Sequence, residues 1–249
     1  MARQKAFLFR GVEVRWSCAP ELIQGEDKTP TEQILKFPNG VADYLDFLTQ
    51  NRQMTTLKPF TGRVEFPNNQ GAVEWAICWP NDYGEAFEYS YCNTVPTPLG
   101  GTHTTGMKMC LTKGIKAFAD MVGNKRATDI TSDDILNTAG VMLSVFIRDP
   151  QFQGQTKERL VTTSATKLVE NAMKDPFDHW LSRDTKSANA LLEWIIERSE
   201  ERKRHKKAVE TQRASATKKL RLPGKLADCS HKSVEGTELF LVEGDSAGG

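Results

Sequence analysis

The chain has 249 residues, of which 39% are hydrophobic, with 33 Lys and Arg against 32 Asp and Glu. This length fits one large domain or two small ones, and the charge balance excludes an overall polycation. The five cysteines form no C-x-x-C pair, which argues against a zinc ribbon and fits a reducing cytoplasm. No apolar run reaches membrane-spanning length, and the opening residues lack a signal-peptide pattern, so we expect no membrane partner and a start inside a longer protein.

The first ninety residues predict mainly strands. Strands are expected at 6–10, 12–16, 33–37 and 64–66, with a helix near 41–49. Alternating apolar residues at 72–79 predict a stronger strand, and the alternation of Phe87, Tyr89 and Tyr91 predicts the next one. The turn residues at 80–84 predict that these two strands form a hairpin. The aromatic row could stack nucleic-acid bases, but a period of two is more typical of a buried core.

The stretch PTPLGGTH at 96–103 precedes apolar residues that recur every three or four positions from Met107 to Val122. This period predicts an amphipathic helix with Thr102 as its N-cap. The two glycines could expose a helix N-terminus to phosphate, or they could simply permit a tight entry, and the sequence slightly favours the second alternative. His103 could be a general base, although a lone histidine is more often an oriented hydrogen-bonding residue.

The second half predicts one buried strand and then helices. Thr131 to Asp134 resembles a capped helix start, and the apolar run at 141–147 predicts a central buried strand. Pro176 is expected to interrupt the following helical run, with Asp175 as a new N-cap. Further helices are expected near 165–174, near 177–181 and from 188 onward.

Residues 197–225 contain 11 Lys and Arg against 4 Glu, a net charge of +7. A long basic helix could follow a DNA duplex and neutralise its phosphates. It could equally be a solvated linker helix that ends at Pro223-Gly224. The two interpretations are compatible, because a linker beside a DNA path would need this charge.

Two shorter segments suggest chemistry at phosphates or metals. Lys157 follows a glycine in a polar loop after the buried strand, which makes it a candidate phosphate ligand, with a solvated loop as the alternative. The last stretch, LFLVEGDSAGG at 239–249, predicts a short strand followed by Glu243 and a glycine-rich turn. A carboxylate at the end of a strand is well placed for a metal or phosphate, but the same letters could form a plain polar turn.

Two longer motifs occur in order, DPQFQGQTKERL near the middle and LPGKLADC followed by TELFLVEGDSAGG at the end. Together they resemble the B-type subunits of type IIA DNA topoisomerases, and their details are closer to topoisomerase IV than to gyrase. The resemblance implies an α/β (α+β) fold. Residues 1–222 would be a ribosomal-protein-S5-like transducer domain with a long C-terminal helix, and residues 223–249 the first strand and turn of a truncated Toprim domain.

The resemblance also implies roles for particular residues. Gln155 and Lys157 match residues that reach the γ-phosphate of ATP in a neighbouring ATPase domain. Glu243 matches a catalytic glutamate that holds Mg²⁺ during DNA cleavage and religation. Because Mg²⁺ needs several oxygen ligands, Glu243 alone cannot complete the site. Four basic residues are expected near DNA: Lys218, Lys219, Arg221 and Lys225.

The implied partners are double-stranded DNA, an A-type subunit that carries the active-site tyrosine in a heterotetramer, and a second copy, joined through a separate ATPase domain before Met1. The implied location is the bacterial cytoplasm, in association with the nucleoid. The segment alone is expected neither to hydrolyse ATP nor to cleave DNA. The alternatives are a gyrase subunit that introduces negative supercoils, a transducer-like domain of a chaperone or mismatch-repair ATPase, and a non-enzymatic S5-like nucleic-acid-binding module. LVEGDSAGG argues against the chaperone and repair alternative.

Overall fold

The computed structural model describes residues 2–23, 28–82, 84–219 and residue 238. The chain divides into two compact units, Met1–Ser199 and Glu200–Gly249. Nine strands and six α-helices are assigned in the described residues: α1 Ala2–Leu8, β1 Glu13–Ser17, β2 Glu32–Lys36, α2 Val41–Thr49, β3 Phe60–Glu65, β4 Gly71–Cys78, β5 Phe87–Cys92, β6 Val95–Pro96, α3 Thr102–Met121, α4 Ser132–Leu136, β7 Gly140–Ile147, β8 Phe152–Gln153, β9 Arg159–Leu160, α5 Ser164–Arg183 and α6 Thr185–Lys219. The mixed α/β class agrees with the sequence-based expectation.

A five-stranded sheet in the order β3-β4-β7-β5-β6 forms the centre of the first unit. The prediction of a central buried strand at 141–147 is confirmed, because β7 pairs antiparallel with β4 and parallel with β5. The predicted hairpin between residues 72–79 and 87–91 is wrong, because β7 lies between the two strands. Strand β7 is apolar almost throughout and covered on both faces, so it is most stable with a neighbouring strand on each edge. The alternation of residues within β4 and β5 does not show which strand each one pairs with.

One face of this sheet packs against α3, α5 and the first turns of α6. Helices α3 and α5 approach closely where α3 has glycines: a Cβ at Gly106 would lie 2.3 Å from the Thr166 carbonyl oxygen, and one at Gly114 would lie 2.5 Å from the Phe177 ring. Phe177 is fully buried, and its ring centroid lies 4.9 Å from that of Phe60 on β3. The two helices therefore form the main core of the unit with the sheet.

The opposite face is covered by α1 and α2. The predicted strand at residues 6–10 is wrong, because residues 6–8 end helix α1 and residues 9–10 form a bend and a turn. The ring of Phe7 stacks on Tyr44 of α2 with centroids 4.1 Å apart, so tertiary packing outweighs the local strand propensity. Strands β1 and β2 form a separate antiparallel pair, in which Trp16 remains 39% exposed.

Helix α5 runs without a break through Pro176. The predicted interruption, with Asp175 as a new N-cap, is therefore wrong. A proline inside a helix removes one backbone hydrogen bond. On both sides of Pro176 the helix buries one continuous apolar face, which includes Met173 and Phe177, and this burial offsets the loss. The predicted capped start of α4 is confirmed, since Thr131 and Asp134 exchange hydrogen bonds between side chains and backbone.

Candidate functional site

The Lys157 loop, residues 154–158, joins the short antiparallel strands β8 and β9. All five of its residues are exposed. The backbone turns through left-handed conformations at Gly154, with φ of 72°, and at Lys157, with φ of 57°. The Lys157 ammonium lies 6.0 Å from the centre of the Phe152 ring, and no described carboxylate is within ion-pair distance of it. The structure thus brings Gln155 and Lys157 together on one exposed loop.

The base of this loop is fixed by backbone hydrogen bonds to the segment that precedes α3. The Leu160 amide donates to the Gly100 carbonyl at 3.1 Å, and the Leu99 amide donates to the Glu158 carbonyl at 3.1 Å. Leu160 itself is completely buried in the main core. An exposed loop of five residues therefore rests on a buried base.

The N-terminus of α3 shows why the chain has two glycines there. The helix is capped at Gly101, so the prediction of Thr102 as N-cap is wrong, and the buried Thr102 hydroxyl has no hydrogen-bond partner among the described residues. Thr104 performs the capping instead: its hydroxyl accepts from the Gly101 amide at 3.1 Å and donates to the Gly101 carbonyl at 3.0 Å. Because a Cβ at Gly101 would lie 2.2 Å from the Leu160 carbonyl oxygen, the tight-entry alternative is the one the structure supports.

His103 is fully buried, and its Nε2 lies 3.1 Å from the Thr97 hydroxyl. The Thr97 hydroxyl in turn lies 2.8 Å from that of Ser90 on β5. Burial lowers the pKa of His103 from its usual 6.5 to about 4, so the ring is neutral at physiological pH. These features match the oriented hydrogen-bonding residue, not a solvent-accessible general base.

The remaining predicted site residues lie in the last turn of α6 or outside the described residues. Lys218 and Lys219 form the last turn of α6, of which only the backbone is described. Arg221, Lys225 and Glu243 lie outside the described residues, as does the whole segment 223–237. Within the described residues no group of three or more His, Cys, Asp or Glu side chains could hold a metal ion, and no helix has the length and apolar composition needed to cross a membrane.

Comparison with known proteins identifies the family. A family model described as DNA gyrase B matches residues 40–211. The chain belongs to the DNA gyrase B family. Over its whole length it is 56% identical to the B-type subunit of DNA topoisomerase 4 from Caulobacter vibrioides, and 52% identical to the corresponding protein from Bartonella bacilliformis. It covers 36% of each of these two relatives, so it spans about a third of their length. The expected likeness to topoisomerase IV is confirmed by these names.

Solved structures of the family share the fold. The ATP-binding domain of Francisella tularensis topoisomerase IV, solved with a small-molecule inhibitor, superposes with a TM-score of 0.65 at 28% identity, over 80% of this chain and 51% of that one. The 43K ATPase domain of Thermus thermophilus gyrase B, in complex with an aminocoumarin, gives a TM-score of 0.68 over 84% of this chain and 54% of that one. Its identity of 24% establishes the common fold alone.

Sequence reasoning found the exposed loop but missed its base. The QTK motif pointed directly to Gln155 and Lys157, whereas nothing in the sequence marked Leu160 or Thr97 as partners of the glycine pair. The one available signal was the glycine pair itself, because adjacent glycines before a helix often mark a close approach of two backbones.

Proposed function

We propose that this chain is the coupling segment of an ATP-dependent type IIA DNA topoisomerase of the topoisomerase IV kind. Residues 1–222 would be its S5-like transducer domain and residues 223–249 the start of its Toprim domain. The complete enzyme would use ATP to pass one DNA duplex through another, and so relax or decatenate DNA. The segment alone would neither hydrolyse ATP nor cleave DNA.

One observation supports this proposal above the others: a lysine and a glutamine are exposed together on a loop whose base is buried. An ammonium donates up to three charge-assisted hydrogen bonds and suits phosphate oxygens, and a neutral amide beside it adds a further donor. Lys157 forms no ion pair with the described residues, so its charge is available to a group from outside this unit. Gln155 and Lys157 therefore suit a phosphate presented by another domain.

The residues of this chain would act through charge and geometry. Bound ATP would supply the γ-phosphate, and Lys157 would place positive charge where negative charge grows during its transfer to water. Once that phosphate has left, Lys157 and Gln155 would lose their contact with the nucleotide. The transducer domain and the ATPase domain would then be free to rotate relative to each other. Hydrolysis of the nucleotide would thereby cause a domain movement, because the Lys157 loop contacts bound ATP and not the product that lacks the γ-phosphate.

The C-terminal part of the chain would serve the DNA. Glu243 would be one ligand of the catalytic Mg²⁺, which needs further oxygen ligands from outside this chain. Lys218, Lys219, Arg221 and Lys225 would lie near the DNA backbone. The partners would be an A-type subunit with the active-site tyrosine and a second B-type copy, in the bacterial cytoplasm at the nucleoid.

The test is the Lys157→Ala variant of the complete gene product, assayed with its A-type partner. We expect ATP turnover to fall by about 100-fold or more, the loss that follows removal of one group stabilising transition-state charge. Lys174→Ala is the matched control, because Lys174 is an exposed lysine of α5 in the same unit, and it should keep normal turnover.

Two results would contradict the proposal. Normal ATP turnover in Lys157→Ala, combined with weaker DNA binding, would favour the non-enzymatic nucleic-acid-binding module. ATP-dependent negative supercoiling of relaxed DNA by the assembled enzyme would favour the gyrase alternative, and relaxation or decatenation without supercoiling would support the topoisomerase IV kind.

A further inference from the structure

We propose that the Gly100-Gly101 segment is the positioning element of the Lys157 loop, and that ATP turnover depends on Gly101 through Lys157. This inference rests on the proposed function, since it assigns to two glycines the task of holding a phosphate-contacting lysine in place. Neither glycine would touch the nucleotide. Their contribution would be geometric, because a catalytic group displaced by an ångström loses much of its effect.

Backbone hydrogen bonds connect the two glycines to the Lys157 loop. Residues 99–101, the α3 entry segment, form two backbone hydrogen bonds with the chain around β9. The Gly100 carbonyl accepts from the Leu160 amide, and the Leu99 amide donates to the Glu158 carbonyl. Gly101 and Leu160 also form a parallel β-bridge. Glu158 directly follows Lys157, so the α3 entry segment fixes the backbone one residue away from the lysine.

Gly101 has no space for a side chain. A Cβ at Gly101 would lie 2.2 Å from the carbonyl oxygen and 2.6 Å from the nitrogen of Leu160, both backbone atoms that cannot rotate away. The φ of 141° at Gly101 is itself a conformation that side chains rarely adopt. Any residue larger than glycine would therefore push β9 away from α3 and move the loop with it.

The N-terminal end of α3 is held by several hydrogen bonds. Thr104 fixes the Gly101 peptide with two hydrogen bonds, and His103, in the first turn of the helix, is held through Thr97. The Thr166 hydroxyl of α5 donates to the Thr102 carbonyl at 3.0 Å. The start of α3 is thus bound to α5 and to the segment that follows β6. A side chain at position 101 would therefore displace the exposed Lys157 loop rather than helix α3.

Lys157 itself has an uncommon backbone geometry. Its left-handed backbone is unfavourable for a residue with a side chain, and such a conformation persists where its surroundings impose it. On its other flank the hairpin is closed by the Val161 amide, which donates to the Gln151 carbonyl at 2.8 Å. Backbone hydrogen bonds therefore hold the Lys157 loop on both sides.

A double-mutant cycle in the complete gene product tests the inference. Gly101→Ala is expected to lower ATP turnover about tenfold or more, since misplacement by an ångström can cost on the order of 100-fold. In the Lys157→Ala background the same substitution should change turnover by less than about twofold, because residues that act as one unit are not additive. Gly123→Ala is the control, since Gly123 has a φ of 71° at the other end of α3 but no atom within 4 Å of the added Cβ.

A milder variant protects the test against simple unfolding. Thr104→Val removes both hydrogen bonds to the Gly101 peptide at nearly constant shape and should lower turnover, whereas Thr104→Ser keeps the hydroxyl and should restore it. Amide hydrogen exchange supplies a readout independent of catalysis: in Gly101→Ala, protection at Leu160 and Leu99 should fall while that in the middle of α3 is unchanged.

The two ideas fail in different ways. If Lys157→Ala alone leaves turnover normal, the proposed function is wrong. If Lys157→Ala lowers turnover as expected but Gly101→Ala lowers the residual turnover of that variant by the same factor as in the parent, or lowers turnover in neither, then the glycines do not act through the lysine and this inference is wrong.

Discussion

Leu160 and Lys157 are three residues apart on one hairpin, yet their environments are opposite. We define the anchor as Gly100, Gly101, His103 and Leu160. Gly100 is partly buried and the other three are buried, a backbone hydrogen bond joins Gly100 to Leu160, and the His103 ring contacts the Thr97 hydroxyl. The Lys157 loop is exposed and binds little within its own unit. The difference shows that residues important for stability and residues with a proposed functional role lie only a few positions apart. The anchor maintains the fold, and the Lys157 loop remains available for a partner.

The largest expected effect is on stability and falls on the anchor. Leu160→Ala should lower the free energy of unfolding by about 2–5 kcal/mol, because it leaves a cavity at a fully buried position. Lys157→Ala should change the same quantity by less than about 0.5 kcal/mol, since the side chain is exposed. Urea denaturation of the chain, followed by tryptophan fluorescence, measures both. An equal change in the free energy of unfolding in the two variants would contradict the contrast between the anchor and the Lys157 loop.

The next effect concerns pH. The folded chain holds His103 neutral, with a pKa of about 4, whereas the unfolded chain binds a proton below its usual pKa of 6.5. Stability from this group is therefore complete above pH 6.5 and is lost as the pH falls toward 4, by about 3 kcal/mol at most. Urea denaturation between pH 7 and pH 4 should show a smaller decline in His103→Gln than in the parent chain.

A matched histidine sharpens the pH experiment. His179 lies exposed on α5, so His179→Gln should keep the full decline of the parent chain. Carboxylates also titrate in this range, and for that reason the quantity to compare is the difference between each variant and the parent. An identical decline in His103→Gln and His179→Gln would mean that His103 is not held neutral by burial.

Sequence reasoning located most elements but not their pairing. The helix near 41–49 and the buried strand at 141–147 follow from local periodicity, which the structure preserves. The error over the β4–β5 hairpin arose because β7, roughly fifty residues further along, inserts between the two strands. Such a pairing depends on the burial of β7 from both sides, which no local pattern contains.

The candidate site likewise has a part that the sequence predicts and a part that it does not. The QTK motif led to the prediction of Gln155 and Lys157 because a motif states residue types directly, and both residues lie on one exposed loop. The contact between Gly101 and Leu160 joins residues almost sixty positions apart, and only the folded chain brings them together. Pro176 gives the complementary lesson: a strong local signal for a helix break is overridden where the neighbouring apolar face is fully buried.

The central claim is that Lys157 contacts a nucleotide held by another domain, and selective lysine acylation tests it most directly. The complete gene product would be treated with an N-hydroxysuccinimide ester, with and without a non-hydrolysable ATP analogue, and each lysine quantified by mass spectrometry. We predict that the analogue lowers acylation of Lys157 severalfold and leaves that of Lys174 unchanged. Equal acylation of Lys157 in both conditions, with the analogue bound, would contradict the account.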